Sequence, residues 1–123
     1  MARLSIAIIF VLSLATHASA ESDTPARFRP GFPVLPPAEY DIPYTGRLTV
    51  KTLATLEELF KECPSIMKNS LACAKKYSDH CDVFLVDDKI MRAYGWTTKI
   101  LLRHEIAHCN GWLANHPGAL PLF

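Results

Sequence analysis

The 123-residue sequence predicts an α+β fold: one domain in which a small sheet packs against a C-terminal helix, stapled by disulfides. Three observations carry that expectation. Cys81-Asp82-Val83-Phe84-Leu85-Val86 is a run of strand formers closed by Asp87-Asp88. Thr97 stands as an N-cap before a helical stretch from about Thr98 to Cys109, and Asn110-Gly111 ends it. Cys63, Cys73, Cys81 and Cys109 make an even number of cysteines in a short chain.

Taken in order, the first twenty residues read as a secretory signal peptide. Arg3 gives a positive start, Ile6 to Leu14 an apolar run too short to span a bilayer, and Ala18-Ser19-Ala20 a small-x-small cleavage site. No cysteine follows that site, which argues against a lipid anchor. Residues 21–123 then suffice for one domain. Losing Arg3 from the 13 basic side chains leaves as many as the 12 acidic ones. A neutral chain with no basic stripe offers nucleic acid no electrostatic footing, and no second apolar stretch enters a membrane after signal cleavage. The expected location is secreted or periplasmic.

Residues 21–45 form a proline-rich arm, with Pro25, Pro30, Pro33, Pro36, Pro37 and Pro43. Such density removes backbone donors and fixes φ, predicting an extended, irregular course. The first part, to about Pro30, reads as a linker. Phe28, Phe32, Val34, Leu35 and Tyr40 suggest that the later part packs along the domain.

The folded region is expected over 46–123. Leu48-Thr49-Val50 is a short strand, and Thr55-Leu56-Glu57-Glu58 fits a capping box. Leu56, Leu59, Phe60 and Cys63 share one helical face, which Pro64 terminates. Leu71 to Ala74 is compatible with a strand or a turn. Four cysteines allow three pairings, and sequence alone does not choose among them. The expected ones are Cys63 with Cys73, closing a local loop, and Cys81 with Cys109, tying the strand to the helix end. A thiolate zinc site is the weaker alternative, since no C-x-x-C pair occurs.

The chemistry converges on His104-Glu105-Ile106-Ala107-His108. At about 100° per residue, His104 and His108 lie one turn apart and about 40° apart around the axis, so both imidazoles can grip one metal. Glu105 sits on the flank of that face, from where a carboxylate reaches a metal-bound water as general base.

These residues resemble the zinc-binding helix of the zincin metallopeptidases. Gly111, three residues after His108, extends the likeness toward the metzincin pattern His-Glu-x-x-His-x-x-Gly-x-x-His. That pattern's third ligand falls on Ala114, however, and no Met-turn follows before Phe123. The chain is also similar to small exported bacterial proteins of unassigned function with His-Glu-x-x-His-Cys-x-Gly-Trp near the C-terminus. The resemblance covers one helix and its turn. It implies one Zn2+ per chain and hydrolysis of a peptide or protein substrate. It also implies a sheet edge strand beside the helix that binds substrate backbone by β-addition, a role expected of Cys81 to Val86.

A catalytic zinc site needs a third protein ligand. His116 is expected, because Gly111 lets the chain reverse and the eight-residue spacing returns an imidazole over the metal. His80, Asp79 and Asp82 are the alternatives. Tyr94 and Arg103 are candidate transition-state stabilisers. Trp96 and Trp112 are expected to pack the helix ends. A zinc-stabilised interaction module, or a metal-free disulfide-held binding domain, are the competing functions.

Overall fold

A computed structural model describes residues 24–25, 27–29 and 31–122. The segment expected to be a signal peptide, residues 1–20, lies outside the described residues. Among those described, no helix is long and apolar enough to cross a membrane.

Eight elements follow in the order β1 (Pro33–Leu35), β2 (Arg47–Leu53), α1 (Leu56–Glu62), β3 (Ala72–Lys76), β4 (His80–Val86), α2 (Asp88–Ala93), α3 (Thr98–Cys109) and β5 (Leu120–Pro121). The α+β class holds. The main sheet has the order β2-β4-β3, with β4 parallel to β2 and antiparallel to β3.

Register assigns the sheet's faces. Cys73 lies directly opposite Phe84, so the two share a face. That face is bonded to the end of α1 through Cys63–Cys73. Cys81, Val83 and Leu85 alternate onto the other face, bonded to α3 through Cys81–Cys109. Each face thus has one helix tethered by one disulfide. β4, covered on both sides, has five buried apolar positions, Cys81 and the unbroken run Val83 to Val86, interrupted only at Asp82, as a strand covered on both faces requires. Both disulfides match the expected pairing, with Cα–Cα distances of 6.6 and 5.8 Å.

Local chemistry explains the helix boundaries. The Thr55 hydroxyl accepts from the Glu58 amide while the Glu58 carboxylate accepts from the Thr55 amide, completing the capping box. The Thr97 hydroxyl accepts from the Ile100 amide and starts α3. Gly111, at φ 101°, takes the left-handed conformation that lets the chain leave α3 sharply.

Two expectations are sharpened and two need correction. The strand expected at Leu48 to Val50 spans Arg47–Leu53, and the open choice at Leu71 to Ala74 falls to strand, with β3 starting at Ala72. Asp87-Asp88 is not a plain turn: the Asp87 carboxylate accepts from the Lys89 amide and caps the short helix α2, whose Met91 is fully buried. β4 is the central strand, hydrogen-bonded on both sides, so it has no edge to offer a substrate by β-addition.

The arm from residue 31 onward lies along the domain. Val34 is buried, and β1 pairs antiparallel with β5, joining the two ends of the described chain. Arg103 on α3 forms a two-point ion pair with Asp41, with Nε donating to Oδ1 at 2.8 Å. The Asn110 amide donates to the Tyr40 and Ile42 carbonyls at 3.1 and 2.6 Å. The arm is therefore pinned against α3, which carries the site.

Candidate metal centre

α3 presents His104 and His108 one turn apart, and the turn after Gly111 brings His116 back to meet them. The three Nε2 atoms lie 3.0 Å (His104 to His116), 3.2 Å (His108 to His116) and 3.3 Å (His104 to His108) apart. Among the described residues, these three histidines are the one group of metal-ligating side chains close enough to hold an ion.

The far side of two rings fixes their tautomer. His104 Nδ1 donates to the Val34 carbonyl at 2.6 Å, and His108 Nδ1 donates to the Trp112 carbonyl at 2.7 Å. A carbonyl only accepts, so both protons sit on Nδ1 and both Nε2 atoms present bare lone pairs. Two lone pairs 3.3 Å apart cannot hydrogen-bond to each other. A cation between them resolves the conflict, and a tetrahedral metal 2.0–2.1 Å from each nitrogen would space the nitrogens by about 3.3 Å. The residues fit a metal, and the backbone carbonyls behind them are the orienting partners that metal-bound imidazoles use.

Burial keeps the rings neutral. Desolvation pushes His104 down to about 4, against the upward pull of its bond to Val34, and the neighbouring His108 and His116 push the same way as burial. Burial also lowers His108 and His116. Neutral imidazole is the ligating form, so the three donors are ready near neutral pH.

Trp112 does more than pack the helix end. Its carbonyl aims His108, its ring stacks on that imidazole at 5.1 Å, and its indole Nε1 donates to the Pro117 carbonyl at 2.9 Å. It thus fastens the loop carrying His116 to the helix carrying the other two ligands. His116 has φ 54°, a left-handed conformation uncommon for a residue with a Cβ. Strain of this kind is held where surrounding contacts over-determine a functional side chain.

Glu105 is buried, 6 % exposed, and lines the same cavity as His104 and His116. Burial alone pushes its carboxyl up to about 8. A cation at the imidazoles draws it back toward the carboxylate, because an opposite charge favours the ionised form. The cavity holds about 220 Å³, and its wall is predominantly apolar.

Other predicted residues lie elsewhere. His80 Nδ1 bonds to Asp79 at 2.7 Å and its ring stacks on Tyr77, so both side chains are engaged at the β3–β4 turn. Asp82 stands opposite Lys75 within the sheet. Arg103 is committed to Asp41 and borders a different cavity, beside Ile106 and Pro43. Tyr94 packs on the core with the Arg27 guanidinium over its ring at 5.6 Å. Neither Tyr94 nor Arg103 lines the cavity beside the imidazoles. Sequence reasoning missed the Val34 and Trp112 carbonyls. A backbone carbonyl has no residue-type signature, although Trp112 at four residues beyond His108 was within reach of the turn's geometry.

Comparison with known proteins yields no matching family model, no similar curated protein and no similar solved structure.

Proposed function

We propose that this chain is a zinc-dependent hydrolase acting on a peptide or other amide bond, exported to a secreted or periplasmic location. The observation that carries the reading is the convergence of three Nε2 atoms, two of them bare lone pairs by tautomer, at tetrahedral spacing. Nitrogen donors in that geometry suit zinc. The likeness to the zincin helix supports the same assignment, and the two disulfides are compatible with an oxidising extracellular compartment.

A bound zinc ion would supply Lewis acidity and bring a coordinated water toward a pKa of about 7. The chain's own residues do the rest. His104, His108 and His116 would hold the ion, oriented by the Val34 and Trp112 carbonyls and the Gly111 turn. Glu105, shielded by apolar walls, takes the proton from the attacking water and passes it to the leaving amine. A closed structural site takes four protein ligands, whereas the group among the described residues has three. That donor count favours the hydrolase over an interaction module.

Metal analysis by mass spectrometry on the oxidised, tag-free protein tests the reading. About one zinc per chain is expected, lost in His108→Ala and retained in Glu105→Gln. Absence of bound metal after incubation with zinc would overturn the hydrolase and favour a disulfide-held binding domain.

A further inference from the structure

The cavity beside the imidazoles has a chemistry of its own. His104, Glu105 and His116 line it, and among the described residues no other ionisable side chain does. Leu71, Ala72, Trp96 and Leu101, all buried core residues, form its floor. Phe32 and Met67 line it too and are 42 % and 67 % exposed, so the cavity carries solvent-facing apolar surface beside its buried lining. Phe32 packs edge-on against Trp96, with ring centroids 6.1 Å apart. Apolar groups kept in water at the rim of an apolar hollow gain by having an apolar occupant cover them.

Asn69 and Ser70 add uncharged polar groups on the same wall, suited to an amide backbone and not to a charge. At about 220 Å³ the space exceeds the roughly 150 Å³ in which a buried apolar cavity binds benzene. A ring-sized group therefore fits. A charged group there would be desolvated without a countercharge other than the site's own.

We infer that this cavity is a recognition pocket for a bulky, uncharged apolar side chain carried next to the amide bond that is cleaved. The inference rests on the hydrolase reading, since the imidazoles place the reacting carbonyl at the pocket's wall. It names the substrate class that reading leaves open: peptides with an aromatic or large aliphatic residue beside the scissile bond.

Hydroxamates separate the two claims, because the hydroxamate head chelates the metal while its tail samples the pocket. Binding to the zinc-loaded protein would be measured by calorimetry for acetohydroxamate, 3-phenylpropionohydroxamate and succinyl monohydroxamate. The phenyl compound is expected to bind at least about tenfold tighter than acetohydroxamate, and the carboxylate compound no tighter than acetohydroxamate. Ser70→Phe, which fills the pocket from a loop, should abolish the phenyl gain with zinc content unchanged. Met67→Ala, at an exposed position, should reduce that gain without touching the metal. Equal affinities for all three compounds in the wild-type protein would overturn the pocket while leaving the metal site standing. Zinc loading without acetohydroxamate binding would overturn the open coordination position, and the pocket's role with it.

Discussion

Glu105 and the three imidazoles give opposite pH dependences to the metal-free protein. His104 has its folded pKa depressed from 6.5 to about 4, so the stability its neutral ring contributes is complete above pH 6.5. It is lost as pH falls toward 4, up to about 3 kcal/mol, and His108 and His116 act in the same direction. Glu105 is raised from 4.5 to about 8, so its contribution is complete below 4.5 and lost as pH rises through 8. Three depressed imidazoles outweigh one raised carboxyl on the acid side, while only Glu105 acts on the alkaline side. Thermal unfolding of chelator-treated protein should therefore show a maximum near pH 6.5. Glu105→Gln should flatten the alkaline limb and steepen the acid limb above pH 4.5, and an unchanged alkaline limb would remove Glu105 as its source. In the zinc-loaded protein the same substitution should lower amide hydrolysis by about 10²–10⁴-fold with zinc retained, the span of general acid–base catalysis.

At the scale of elements, α3 is held at each end by a device readable in advance. The Thr97 cap fixes its start, and Thr97→Ala should lower stability by about 1 kcal/mol in chemical denaturation. Cys109 fixes its end to β4 and is adjacent to His108. Replacing Cys81 and Cys109 together by serine should remove about 2–5 kcal/mol and weaken zinc retention in a competition titration. Loss of stability with zinc affinity intact would show that the helix holds its ligands without the tether. Cap, motif and glycine exit were legible because each is a local pattern with a physical reason behind it, whereas the cysteine pairing was one of three that the sequence left open. α2 was not, since six residues are too few for helical periodicity to declare itself. β4 gave its identity but not its neighbours: an apolar run says that a strand is buried, not which strands flank it.

Over the whole molecule, the legible part of the site was its motif, and the illegible part was its support. His104, Glu105 and His108 announce themselves by type and spacing, and His116 was the first of several candidates to join them. The Val34 carbonyl lies 70 positions from His104, and the cavity draws Phe32, Met67 and Trp96 from three separate stretches of chain. Such convergence follows from tertiary packing, which no local pattern encodes. Metal binding should tie these stretches together energetically. At a free zinc concentration about a thousandfold above Kd, the ion adds about 4 kcal/mol of stability, so chelation should lower Tm by many degrees. A Tm indifferent to chelation would argue that the imidazole cluster is already satisfied without an ion.

The bond between His104 and the Val34 carbonyl also sets an order of events. Synthesis delivers Val34 long before His104, and His116 twelve residues after His104. A nascent or truncated chain ending before His116 carries two ligands, and such a pair holds zinc far less firmly than three. On the proposed function, an ion would lodge securely only in a polypeptide whose arm and closing loop have both been made and have found each other. Retained zinc would thus serve as a quality mark, separating finished molecules from fragments that still contain the whole His104-to-His108 helix.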